Sequence, residues 1–229
     1  MPLDGYGPAI LAGAWVTLRL ALLALGLAFV AGLAGAAAKL SGVRLLAWPA
    51  TAYSTIFRGV PDLVMMLLVF YGGQVLVNQA TDAMGWDYID LNPFVAGVFT
   101  IGVIFGAYFT ETFRGAFLAV PAGQLEAGRA YGMTGLQVFR RILFPQMLRH
   151  ALPGIGNNWL VLVKSTAIVS MIGLADMNLI ADQAGRTTHK PFLFYMVVSA
   201  LYLSVTALSS WTLHRLQRRY SAGVREAEV

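Results

Sequence analysis

Apolar residues in this chain come in long, nearly unbroken runs separated by short polar segments. Four stretches carry no charge over about the twenty residues that a hydrocarbon core of roughly 30 Å demands of a helix. They are Leu20 to Ala38, Leu63 to Thr81, Leu91 to Thr110 and Pro191 to Leu213. A fifth, Ala151 to Ala175, is interrupted by Lys164 and by Pro153, Gly154 and Gly156, so it is expected to face protein or a polar cavity more than lipid. With their flanks, the spans are expected at residues 10–38, 50–79, 91–114, 151–175 and 191–214. Neither an internal repeat nor a low-complexity linker divides the chain, so residues 1–229 read as one all-α integral membrane domain with five transmembrane helices.

Composition agrees with that pattern. Hydrophobic residues make up 58% and charged residues 12% of the chain, against about 45–50% and about 25% in soluble domains. The net charge of +5 therefore bears on orientation in a bilayer before it suggests nucleic acid, which is not expected as a partner. Cysteine is absent, which removes disulfides, Cys-based metal sites and thiol chemistry. Lys39 and Arg44 follow span one; Arg114, Arg129, Arg140, Arg141 and Arg149 lie between spans three and four; Arg215, Arg218, Arg219 and Arg225 follow span five. All three groups fall on one side. The other side carries Asp82, Asp87 and Asp90 in one loop and only Arg186 and Lys190 as basic residues in the other. The positive-inside rule then predicts an external N-terminus and a cytoplasmic C-terminus. Arg19, the apolar run after it and Ala34 to Ala38 imitate a signal peptide, but the leading segment is long, carries Asp4 and lacks a clustered basic start, so span one is expected to stay. Gly13, Gly26, Gly32 and Gly35 give it small faces for a neighbouring helix.

The segment of about residues 115–150 is too long for a minimal connection and too patterned for disorder. Leu136, Phe139, Ile142 and Leu143 recur at helical spacing with Gln137, Arg140 and Arg141 opposite, which predicts a short amphipathic helix along the membrane surface or bundle base. Thr134 is its expected N-cap. Gly132 supplies a positive-φ turn before it, and Pro145 and Pro153 are expected to bend or stop the chain on re-entry. On pattern alone, a stop-transfer flank whose arginines merely anchor topology is an equal alternative. No P-loop, His-Glu-x-x-His or Gly-x-Ser-x-Gly pattern occurs, so no nucleotide, metal or serine chemistry is expected of the chain itself.

The residues of that segment resemble the EAA motif of ABC importer permeases: Glu-Ala-Ala, three residues, Gly, nine residues, Ile, one residue, Leu-Pro. Here it stands as Glu126-Ala127-Gly128, Gly132, Ile142, Phe144 and Pro145, with Gly for the third Ala and Phe for Leu. The resemblance covers almost the whole chain and looks closest to the polar amino acid permeases of the histidine, lysine, arginine and ornithine type. It is carried also by Phe57 to Leu63, Gly106 to Ala116 and Ala151 to Trp159. It implies a type I importer permease fold, a bacterial inner-membrane location, and a coupling helix seated in a cytoplasmic ATPase through Glu126, Gly132 and the helix that follows. Leu136, Phe139, Arg140 and Arg141 would supply the docking surface. It implies as partners two ABC ATPase subunits, which bind the ATP and Mg, a second permease subunit or second copy of this one, a periplasmic amino-acid-binding protein and membrane lipid. By the same resemblance, this chain itself is expected to need no cofactor and not to be an enzyme. The expected cargo is a polar, basic amino acid. Another polar solute, such as glutamine, an acidic amino acid or an opine, is the alternative within the class, and a channel the alternative outside it.

Charges inside spans default to functional hypotheses. Glu111 either pairs with Arg114 at i,i+3 or faces the translocation path as a carboxylate suited to a cationic amino acid. Arg58 and Asp62 either pair at i,i+4 or line the path beside an unwound Gly-Val-Pro. Asn157 and Asn158 are candidate polar contacts for an amino acid backbone. Lys164 and Arg19 are read as structural charges, and Glu126 either pairs with a nearby arginine or is solvated.

Overall fold

The computed structural model describes residues 2–220; Arg225 lies outside the described residues. The described chain is helical, with no strand among its elements. The helices are α1 (Gly7–Leu40), α2 (Arg44–Gly59), α3 (Asp62–Ala83), α4 (Pro93–Leu118), α5 (Ala122–Ala130), α6 (Gly135–Val138), α7 (Phe144–Ser165), α8 (Met177–Thr188) and α9 (Pro191–Tyr220). A π-helical turn, Phe139–Leu143, joins α6 to α7, and a 3₁₀ segment, Thr166–Ile172, extends α7. Five helical stretches are long and apolar enough to cross a membrane: Gly7–Leu40, Asp62–Ala83, Pro93–Leu118, Gly135–Ile172 and Pro191–Tyr220.

Two expectations about helix limits need correction. Residues 50–59 do not belong to the second span. They end a separate helix, α2, because Pro61 bars the preceding residue from helical geometry, and Val60 is extended at φ −106°, ψ 139°. Of the bend or stop expected at Pro145 and Pro153, the stop does not occur. Pro145 sits in the first turn of α7, just after the π turn in which the Phe144 amide reaches back five residues to the Phe139 carbonyl. That widened turn already breaks the i→i−4 ladder where proline could not donate. Pro153 is carried inside α7 without ending it.

The core is a close pairing of α1 and α4 built on small residues. A Cβ on Gly32 would lie 2.5 Å from the Cβ of Phe109, and one on Gly102 would lie 2.6 Å from Leu27. Gly35 backs onto Thr110. Such close backbone approach maximises dispersion contact where no hydrophobic force separates helix from lipid. Gly13 instead packs against the start of α8, at Met177 and its N-cap Asp176, and a Cβ on Gly26 would meet nothing, so two of the four expected glycines serve the α1–α4 seam. Gly32 beside Phe109 and Leu27 beside Gly102 make α1 and α4 parallel. Gly154 against Thr112 and Gly97 against Val169 make α7 antiparallel to α4, and Gly156 against Leu213 with Trp159 bonded to Ser209 makes α9 antiparallel to α7. The basic ends of α1, α4 and α9 and the start of α7 thus lie at one end of the bundle.

Candidate functional site

At that basic end the residues between α4 and α7 fold into a compact hairpin. Helix α5 closes with a glycine C-cap: Gly132, at φ +80°, donates its N–H to the Arg129 carbonyl at 2.9 Å, and Met133 donates to Gly128 at 3.1 Å. This pair of bonds requires a left-handed residue at Gly132, which a side chain would strain. Two residues later Thr134 caps α6. Its Oγ1 accepts from the Gln137 amide at 3.4 Å, and the Gln137 side chain accepts from the Thr134 amide at 2.8 Å, a reciprocal capping box. The π turn then brings Ile142 back over α5. A Cβ on Gly128 would lie 2.5 Å from Ile142 Cδ1, so the spacing from Gly128 to Ile142 is the closing contact of the hairpin. Val120 and Met147 are buried in the main core, and Leu125 and Leu143 pack on it, fixing the hairpin's inner side to the bundle.

Its outer side is exposed. Tyr131, Leu136, Gln137, Phe139, Arg140 and Arg141 face solvent, with Tyr131 88% and Leu136 67% accessible. The sequence pattern had joined Leu136 and Phe139 to Ile142 and Leu143 on one apolar face. Instead the buried Val138 takes the inner position, and Leu136 and Phe139 stand outward among the arginines. Leu136, Gln137, Arg140 and Arg141 together line a shallow depression. Glu126, Ala127 and Pro145 are exposed, Gly128 is buried and Ile142 is half-buried. Glu126 makes no ion pair among the described residues.

The intramembrane charges separate into two groups. Glu111 accepts from Arg114 Nε at 2.9 Å, pairs with Lys39 and lies 3.3 Å from Ser54 Oγ, which Lys39 Nζ also approaches at 2.6 Å. One carboxylate therefore pins α1, α2 and α4 together, and both basic partners satisfy it. Sequence reasoning offered Arg114 for this role and missed Lys39 and Ser54, which lie 72 and 57 residues away in the chain. Asn158 is likewise engaged, donating to Thr112 Oγ1 at 3.0 Å across α4 and α7.

Arg58 and Asp62 do not share a helix, and no ion pair joins them among the described residues. The Arg58 guanidinium lies 5.5 Å from the centre of the Tyr108 ring, and Asp62 accepts from Ser165 Oγ at 3.4 Å. Asn157 and Lys164 are exposed on α7, in line with Pro153 and Val161 at helical spacing. Lys164 has no acidic partner among the described residues.

Known structures share this architecture. Over 93% of this chain and 95% of the other, it superposes on an amino acid ABC transporter solved with histidines at a TM-score of 0.79 and 33% identity. The inward-facing MetNI methionine ABC transporter shares the fold at a TM-score of 0.74 and 21% identity, over 95% of this chain and 98% of that one. The bundle is an ABC importer permease fold.

The chain belongs to the binding-protein-dependent transport system inner membrane component family, whose profile matches residues 16–222. It is 54% identical to the histidine/lysine/arginine/ornithine transport system permease protein HisQ of Escherichia coli K12, over 99% of this chain and 100% of the relative. It is 38% identical to the octopine transport system permease protein OccQ of Rhizobium radiobacter, over 97% and 94%. The arginine ABC transporter permease protein ArtQ of Escherichia coli K12 is 39% identical over 77% and 79%.

Proposed function

We propose that this chain is the permease subunit of an ATP-driven importer of basic amino acids, and that the hairpin from Ala122 to Leu143 is the lever through which an ATPase subunit works it. The observation that carries this reading is the two-sided hairpin: its inner face is locked to the bundle core while its outer face offers Leu136 and Phe139 among Arg140 and Arg141. Apolar anchors ringed by charge suit a protein partner, and a rigid element fixed at one side transmits a push. Two ATPase chains, a second permease subunit and an external binding protein complete the machine. The N-terminus lies outside and the basic end in the cytoplasm, as the clustering of Lys39 with the arginines supports.

Asp62, Arg58 and Asn157 line the translocation path. Glu111 and Asn158, both satisfied by internal partners, hold the helices that frame it. Lys164 supports a second permease subunit, because a lysine facing hydrocarbon would cost about 2.5–3.5 kcal/mol, and closing a polar path over that face removes the cost. A basic amino acid is favoured over an opine by the higher identity to HisQ than to OccQ.

The test is Gly132→Val in vesicles holding the permeases, the ATPase subunits and the binding protein. Forcing a β-branched residue to φ +80° strains the lever by about 1–2 kcal/mol. Expected is ATP hydrolysis that no longer drives uptake of labelled arginine or histidine, with membrane insertion intact. Unaltered uptake would remove the lever assignment.

A further inference from the structure

The last turns of α9 carry a surface that the lever and the path leave unused. We propose that Trp211, His214, Arg215 and Arg218 form a binding site for the headgroup of an anionic phospholipid in the leaflet at the basic end of the bundle.

Helix α9 is 30 residues long, about 45 Å at 1.5 Å per residue, and so outruns a hydrocarbon core of roughly 30 Å. Its uncharged part is Pro191 to Leu213, which sets the excess at Trp211 to Tyr220, at headgroup depth. One face of the helix is committed to the protein: Phe194 and Val198 are buried, Ser209 bonds Trp159 and Leu213 packs on Gly156. The opposite face is exposed throughout. It runs through Met196, Leu203 and Leu208, a surface for acyl chains, to Trp211 and then to the cations.

Those cations are placed, not merely present. The Arg215 guanidinium lies 3.8 Å from the centre of the Trp211 ring, a stacking that holds the charge at the level of an interfacial tryptophan. Ser210, Trp211, His214, Arg215 and Arg218 line one concavity. No carboxylate pairs with Arg215, Arg218 or Arg219 among the described residues. A phosphate is the complementary ligand, because guanidinium groups recognise its oxygens through paired N–H donors. A lipid supplies both this phosphate and chains for the apolar strip above it. The hairpin's arginines stand among a few exposed apolar side chains on short helices and not at the end of a long apolar span face, which sets the two basic surfaces apart.

The whole complex, purified with its partner subunits and held in discs of phosphatidylcholine mixed with phosphatidylglycerol, provides the test by native mass spectrometry. The wild type is expected to retain phosphatidylglycerol in preference to phosphatidylcholine, and less of it as salt rises. R215Q/R218Q should weaken retention roughly fivefold per arginine, about 25-fold in all, while R215K/R218K, which keeps the charge but loses the paired donors and the stacking, falls between that variant and the wild type. Soluble glycerol phosphate, which lacks the chains, should not compete. Equal retention by R215Q/R218Q overturns the proposal. So does loss of the ATPase subunit from that variant with lipid retention unchanged, which would make the face a protein-docking surface. Should R215Q/R218Q fail to fold, salt-insensitive retention by the wild type overturns the proposal equally.

Discussion

The α1–α4 seam and the Ala122–Leu143 hairpin solve opposite problems. In the seam, glycines are buried and their missing side chains are the means of contact: Gly32 and Gly102 admit Phe109 and Leu27 at distances no Cβ would permit. In the hairpin, a Cβ on Gly132 would meet nothing, and the residue matters for its backbone angle and the bond its amide makes to Arg129. The seam is complete within this chain. The hairpin is half complete, ordered by its own caps yet showing large apolar side chains to solvent. A surface of that kind is one that another molecule can cover, which is the part the proposed ATPase contact would play, whereas the seam needs nothing beyond this chain.

The contrast can be broken most severely at the carboxylate that fastens the seam's basic end. Glu111→Gln leaves the Lys39 ammonium, 11% exposed, without its counter-charge. Losing one partner of such a pair costs roughly 3 kcal/mol, to be seen as a lower unfolding temperature of the purified permease in detergent. An unchanged temperature would mean that the cluster is a bystander. Next comes Gly32→Leu, which must force α1 from α4 and should cost about 2 kcal/mol, with less folded protein recovered from membranes. If Gly32→Leu were as stable as the wild type, the seam would not be the tightly packed element described. Smallest is Thr134→Ala, which removes a cap worth about 1 kcal/mol. It should raise amide exchange in Gly135–Val138 while the spans keep their protection, and uniform exchange would show that the hairpin is not a separately ordered unit.

Much of this was legible from residues because its causes are local. A twenty-residue charge-free run has one solution in a bilayer, and the Gly132 turn and Thr134 cap are written within five residues of one another. The resemblance to known permeases then implied a fold and a role for that segment. What could not be read depends on distance in the chain or on a proline's surroundings. Lys39 and Ser54 reach Glu111 only through the packing of three helices, and no spacing announces it. The division of residues 50–79 at Val60 follows from Pro61, whereas Pro145 does not break its helix, because the π turn before it had already given up the bonds that proline lacks. The outward turn of Leu136 and Phe139 escaped for a related reason. A periodicity drawn at 3.6 residues per turn fails across a π turn, and Val138 takes the buried place.

Because the chain contains no cysteine, Leu136→Cys creates a single thiol on the outer face of the hairpin. The most direct measurement is its rate of reaction with a membrane-impermeant maleimide in inside-out vesicles, with and without the ATPase subunits assembled. A lever seated in an ATPase predicts rapid labelling of the bare permease and strong protection in the complex, with protection changing when ATP is bound. Equal labelling in both, while ATP-driven uptake proceeds, would contradict it.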